Sequence, residues 1–434
     1  MIFVNLTTLF YYYTYVVINK FADDVYTGWL LLFVLVKYIP LKGYRMKKLV
    51  AIVVVSSIVT FCVGCTPDQN STDVMTEDVV AEDVIANNKA SNAVPLIGSW
   101  IIDLDAGVMI DPQTSGLKYD NGFLYSLSDA SAHASQVKRL HKISPDDSQI
   151  MNKFGPSEFS DRVRNSCFYD YLAGKPDYEG LAPIPGEEDA WVFVTEDASR
   201  SKQLSETCQQ QFANTGSTFF PTLLVRLKLS DESIEVTHVR PIQFPISAQV
   251  GDSPNDGIEG LTFTKDNRLL LGLEKDANKQ PRVFEVAIDD KFWQASDFAV
   301  VSDSELLLPT FEQGNHPING MDVYYPSPDS DGYLLAAARN DSELWVVDLA
   351  KSKPTKRIKL AFFAPSGDAA CESTHLMDNA SIEGVAVVDN YVWMVNDPWK
   401  VNYLKNVVCA SDEYRYQQMA PLLFKMKIED AWFE

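Results

Sequence analysis

The chain has 434 residues, 46% of them hydrophobic, with 59 acidic against 37 basic side chains and a formal net charge of −22. That balance argues against a nucleic-acid partner, whose phosphates require a basic face. The length is ample for one large core with further segments ahead of it.

Residues 1–45 are aromatic and apolar, with Tyr11, Tyr12, Tyr13 and Trp29 followed by an aliphatic run. Two readings fit them: an extra membrane helix, or a mis-called upstream segment translated ahead of the true start. The second is favoured, because Met46 opens a complete signal peptide over 46–64, with a basic start and an apolar run. Its close, Val63-Gly64-Cys65, resembles a bacterial lipobox, which implies cleavage before Cys65 and a lipid on that cysteine. The pattern departs at Cys62, where a lipobox usually carries Leu. Residues 65–95 are rich in Asp, Glu, Asn, Ser and Thr, too polar to bury a core, and read as a lipid-anchored disordered tether. Thr66 rather than Asp after the cysteine favours the outer membrane, facing the periplasm or the cell surface. Loss of residues 1–64 would move the net charge to −26, since they hold 6 basic and 2 acidic side chains.

Residues 96–434 carry one phrase five times: Ser115-Gly116-Leu117, Glu179-Gly180-Leu181, Glu259-Gly260-Leu261, Asn319-Gly320-Met321 and Glu383-Gly384-Val385. The glycines lie 64, 80, 60 and 64 residues apart. Each phrase leads to an apolar run ending in acid or amide, at Asp129, Glu196, Glu274, Asn340 and Asp397. Repeats of this size, rich in short strands, predict an all-β fold, a β-propeller of five blades, with six as the alternative if the 80-residue interval hides a short one.

Each blade reads as four strands. The phrase begins the first. The second is the apolar run, at 123–127, 191–195, 269–273, 333–338 and 391–395, preceded by turn residues such as Asn121-Gly122 and Asp389-Asn390. Alternating third strands follow at 139–143, 224–229, 283–288, 344–349 and 423–428. Fourth strands are expected at 149–154, 234–242, 298–307 and 357–363. The last blade has none of its own, so Ser99–Asp103 is assigned to it, closing the ring with the N-terminal strand.

Four cysteines remain after Cys65, and three pairings are open to them. Cys167 and Cys371 each lie 13 residues before a phrase glycine; Cys208 and Cys409 lie 28 and 25 after the same two. The matching register predicts Cys167–Cys208 and Cys371–Cys409, structural bonds that an oxidising periplasm permits.

No serine elbow, phosphate-binding loop or HExxH helix is present. What remains is the set of oxygen-bearing residues at the strand starts and ends. Hard cations such as calcium take six to eight oxygen ligands, so Glu179, Glu196, Glu259, Glu274, Asn319, Glu383 and Asp397 are the expected metal ligands. Each acid taken alone reads rather as a turn or inter-blade hydrogen-bonding device; the metal reading belongs to the set. Arg200, Lys275, Arg282, Arg339 and Lys400 follow these acids and would hold an anion if they crown the same face. His133, His316 and His375 lie in loops; His316, beside Asn319, is the best candidate for a base, and Glu274 joins it as an expected catalytic residue. Trp399 and Trp191 would form an apolar wall, or serve the core.

The segments Glu179-Gly-Leu-Ala with Trp191–Glu196, and Ile258–Glu274 as a whole, resemble the phytase-like propeller family, described as having esterase-like activity. The resemblance spans roughly residues 96–430 and rests on Glu179, Glu196, Glu259, Glu274 and Glu383, with departures at Ser115 and Asn319. It implies a calcium-dependent hydrolase of ester or phosphoester bonds. Asn319-Gly320 is also similar to the calcium ligands of gluconolactonase and paraoxonase propellers, which keeps lactone hydrolysis open. The alternative is a non-catalytic binding or scaffold lipoprotein of the cell envelope.

Overall fold

The structure, a computed structural model, describes residues 13–23, 26–36, 92–155, 157–196, 204–253 and 255–434. The expected signal peptide over 46–64, Cys65 and most of the expected tether lie outside the described residues, as does Arg200. Two units are distinct, Met1–Val74 and Met75–Glu434. In the first, Tyr13–Asp23 pairs antiparallel with Tyr26–Val36, so the described part of the N-terminal segment is a hairpin where a helix had been weighed. Among the described residues no helix is long and apolar enough to cross a membrane.

The second unit is all-β. Its first sheet runs Thr114–Asp120, Phe123–Ser128, Leu140–Ile143 and Ile150–Phe154, each antiparallel to the next. The second runs Tyr178–Pro183, Ala190–Thr195, Leu223–Ser230 and Ser233–Gln243. The 80-residue interval is spent on that long outer hairpin and on the helix Glu206–Gln211. The third sheet runs Ile258–Phe263, Arg268–Leu273, Arg282–Ala287 and Ser302–Asp303.

Repeats four and five share one nine-stranded sheet. Ile318–Tyr324, Tyr333–Ala338, Glu343–Asp348 and Lys356–Pro365 lead to Val94–Trp100, which continues into Leu422–Lys427, Tyr391–Asn396 and Ile382–Val388. Val94–Trp100 is antiparallel to Leu422–Lys427 and parallel to Lys356–Pro365.

Two strand expectations need correction. The N-terminal strand is 94–100 rather than 99–103. Its register, Leu422↔Trp100 and Phe424↔Gly98, ends where Ile102 turns to the first sheet and bridges Gln149. The outer strand expected at 298–307 is split. Ala299–Val300 adds to the second sheet beside Ile242 and Gln243, and Ser302–Asp303 returns to the third. Arg282 fixes that return through Asp303 at 3.1 Å.

The five strands that begin with the phrase pack side by side. Ser115 Oγ donates to Glu179 at 3.0 Å, the Gly180 strand rests on the Glu259 carbonyl, and Asn319 Nδ2 donates to Glu259 at 3.3 Å. The Gly320 strand lies on Gly384, and the Gly384 strand lies on Gly116. At Gly320 and Gly384 a side chain does not fit. A Cβ on Gly320 would stand 2.9 Å from Gly384 Cα, and one on Gly384 would stand 2.6 Å from the Gly116 carbonyl carbon. Core side chains such as Leu181, Leu261 and Met321 fill the space between neighbouring sheets.

Both disulfides are present as the register predicts, Cys167–Cys208 and Cys371–Cys409, with Cα atoms 5.7 and 6.1 Å apart.

Candidate functional site

The phrase has a structural meaning in the strand ladder. Pairing skips from Ile258↔Leu273 to Gly260↔Gly272, from Ile318↔Ala338 to Gly320↔Ala337, and from Ile382↔Asn396 to Gly384↔Val395. It skips likewise from Tyr178↔Thr195 to Gly180↔Val194. Glu259, Asn319, Glu383 and Glu179 are therefore the extra residues of four β-bulges, a device that re-aims one side chain while the ladder continues. The first repeat differs: Ser115 stays paired with Leu127, and the irregularity follows it.

A second regularity brings the strand ends to the same place. The backbone N–H groups of Glu196, Glu274, Asp397 and Asp129 donate to the carbonyls of Asp177, Gly257, Ser381 and Gln113. Each acceptor lies two residues before a phrase polar residue. Strand starts and strand ends are thereby tied together around one cavity of about 420 Å³, lined by Ser115, Asp129, Asp177, Glu179, Glu196, Glu259, Arg339, Glu383 and Asp397 with several amides and Trp399. A second cavity of about 460 Å³ opens at the other ends of these strands, but its central charges, Lys118 and Asp322, already pair at 3.2 Å. The acidic cavity is the candidate site.

Its acids form two groups. Carboxylate oxygens of Glu196, Glu259 and Glu274 lie within 4.8 Å of one another, and so do those of Asp129, Asp177 and Glu179. Burial is severe, with Glu196, Glu259, Glu274 and Glu383 exposed by only 2, 6, 3 and 5%, and Asn319 by none. Donors are few. Glu196 accepts from Gly257 N–H at 2.8 Å, and Asp129 accepts from the N–H groups of Ser131 and Ala132. Glu383 accepts from Arg339, and Glu274 lies 3.4 Å from Lys275 Nζ. Asn319 Oδ1, Glu383 Oε2 and Asp397 Oδ1 are buried with no hydrogen-bond donor.

Buried acids without donors retain protons. Burial, then neighbouring carboxylates, holds Glu179 and Glu196 well above the usual range. Burial and the Glu274 charge push Glu259 up to about 8, and burial and the Asp129 charge push Asp397 up to about 8. Burial also raises Asp129, to about 6. A hard cation suits such a donor set, because it would satisfy orphaned oxygens that no side chain reaches and offset the repulsion among the acids.

The sequence-expected ligands Glu179, Glu196, Glu259, Glu274, Asn319, Glu383 and Asp397 are thus brought together. The histidines are not. His316 stacks on Phe311 at 3.6 Å, its Nδ1 faces both Asp341 oxygens at 2.9 Å, and its Nε2 faces the Gln313 carbonyl at 2.9 Å. His316 has acceptors at both ring nitrogens and does not line the cavity. His133 bonds Ser135 at the surface, and His375 is buried against Tyr416. Of the basic residues, Arg339 lines the cavity, whereas Lys400 pairs with Asp111 and Arg282 with Asp276. Trp399 lines the cavity and is 45% exposed, while Trp191 is core, packed on Tyr125. Asp177 was missed as a site residue. Its signal was its offset, two residues before Glu179, where the repeats supply the carbonyl that holds the strand end.

No family model and no curated protein matches the chain. Solved structures give distant likenesses. A luciferin-regenerating enzyme aligns at 11% identity over 76% of this chain and 94% of that one, with a TM-score of 0.36. An exo-β-1,3-galactanase from Clostridium thermocellum aligns at 12% over 75% and 61%, with a TM-score of 0.38. A gluconolactonase from Xanthomonas campestris aligns at 10% over 71% of each chain, with a TM-score of 0.32. At these scores the likenesses carry no weight for fold or chemistry, which rest on the geometry above.

Proposed function

We propose that this chain is a five-bladed β-propeller of the phytase-like type, closed by its N-terminal strand, whose acidic mouth binds calcium and hydrolyses ester or phosphoester bonds. The observation that carries the reading is the convergence of buried oxygens from four bulges and their facing strand ends, several of them without a donor. Glu196, Glu259, Glu274, Asn319 and Glu383 would hold the ion. Bound there, calcium supplies Lewis acidity toward a carbonyl or phosphoryl oxygen and acidifies bound water. Asp397, which lines the same cavity, would take the proton of the attacking water in place of His316 once it is deprotonated, above its raised pKa of about 8. Trp399 gives the substrate an apolar wall, and its exposure leaves the mouth open to a ligand. An expected signal peptide over 46–64 and the resemblance of its close to a lipobox support a cell-envelope location with a lipid anchor at Cys65.

Calorimetric titration of the full-length protein with calcium tests this. Binding weakened at least tenfold in Glu259→Gln and in Glu274→Gln, together with aryl-ester turnover abolished by chelation, is the expected result. Binding without turnover of esters or phosphoesters favours a non-catalytic scaffold of the envelope. Absence of binding makes the acids a feature of architecture alone.

A further inference from the structure

Among the described residues, Arg339 is the one basic side chain in the wall of the acidic cavity. It follows the strand Tyr333–Ala338, on a single turn that ends at Ser342 with φ 50°. That turn is fastened by neighbouring residues. Asp341 is held by His316 at 2.9 Å and by Arg357 at 3.7 Å, and Asn340 Nδ2 donates to the Asn315 carbonyl at 3.0 Å. The root of Arg339 is therefore fixed, while its side chain is 23% exposed.

Its guanidinium is aimed inward. Nη1 donates to Glu383, and Nη2 stands 3.8 Å from Glu274 Oε1. These carboxylates come from different strands, both are nearly buried, and both belong to the donor set assigned above to the cation. The guanidinium thus occupies the electrostatic position that a divalent ion would take. The two cannot share it at full strength, because like charges a few ångströms apart repel strongly in a cavity shielded from water.

We infer that Arg339 couples the two ligands of this site: it is the cavity's own counter-ion without calcium, and calcium entry releases it to bind an anionic group on the substrate. The inference rests on the calcium reading above and narrows the substrate class to esters or phosphoesters with a phosphate or carboxylate beside the scissile bond. A guanidinium fork matches two oxygens of such a group. Linkage makes the coupling reciprocal, so the anion must tighten calcium by the same factor by which calcium tightens the anion. His316, through Asp341, is a positioning residue for Arg339.

The test is calorimetry on the full-length protein, titrating calcium with and without phenylphosphonate, a phosphoryl anion that cannot be hydrolysed. Wild type should bind phenylphosphonate poorly alone, and the anion should tighten calcium about tenfold, within the usual range of coupling. Arg339→Met should bind calcium more tightly than wild type and lose the coupling, while Arg339→Lys, which keeps charge without the fork, should retain part of it. Arg339→Met also separates this idea from direct contact between anion and ion, which would leave coupling intact. Retained coupling in Arg339→Met, or phenylphosphonate binding that ignores calcium, overturns the inference and leaves the calcium site standing. Failure of both wild type and Arg339→Met to bind calcium overturns the calcium reading and this inference together.

Discussion

Lys118 is 4% exposed, although the sequence offers it as one more polar residue in a strand. Its ammonium lies where the phrase strands meet, donating to the Met321 and Val385 carbonyls and pairing with Asp322 at 3.2 Å. Asp322 in turn accepts from Thr262 at 2.8 Å and from Val387 N–H at 2.9 Å. The ammonium therefore links three strands, and burial lowers its pKa against the opposing pull of Asp322. Removing one partner of a buried pair strands the other, at a cost of about 3–5 kcal/mol. Lys118→Met should lower stability by about that much in chemical denaturation. Lys118→Met with Asp322→Asn should recover part of the loss, because the second change removes the stranded charge.

At the scale of elements, the sequence showed the phrase and the structure shows its mechanism. Glu259, Asn319 and Glu383 precede glycine because each is the extra residue of a bulge, and the glycine lets the next strand approach. Outer strands were less legible. Residues 298–307 lack sustained alternation, so their pairing was settled by two neighbouring sheets competing for them, and each took two residues. The disulfides fasten loops that have little strand of their own. Cys208 sits on the helix Glu206–Gln211, and its partner Cys167 precedes the helix Tyr169–Ala173. The bonds span 41 and 38 residues. Chain-entropy reasoning assigns about 4 kcal/mol to a loop of that length. Replacing Cys167 and Cys208 together by Ser should cost up to that amount in denaturant unfolding while leaving calcium binding within about twofold, since neither residue lines the cavity.

For the whole molecule, the acidic cavity sets the pH response. A carboxyl whose pKa is raised by folding contributes stability that is full below its unfolded pKa and is lost as pH rises through its folded value. Glu259 and Asp397 spread that loss from their unfolded values, 4.5 and 3.8, up to about 8, so pH 6.5 to 8.5 holds its last part. His141, fully buried and pushed down to about 3, acts in the opposite sense below its unfolded value near 6.5, so only the part of the range above pH 6.5 is clear of it. Without calcium, the melting temperature should fall from pH 6.5 to 8.5. Calcium should restore it most at the alkaline end, where the acids no longer hold protons against the ion, and Glu259→Gln should flatten the fall. A melting temperature that rises over this range without calcium would contradict the raised pKa values.

The sequence by itself determined the all-β character of residues 96–434, the repeat and its period, both disulfides, and the identity of most acids that meet in the cavity. These are legible because alternation, turn residues and cysteine register are local properties that recur with each repeat. Only the tertiary structure decided that Val94–Trp100 bridges the last two repeats, that His316 turns away to Asp341 while Arg339 turns inward, and that Asp177 joins Asp129 and Glu179. Those outcomes depend on which strands lie beside one another and how far a side chain is buried, and such distances are set by packing between repeats rather than by residues adjacent in the chain.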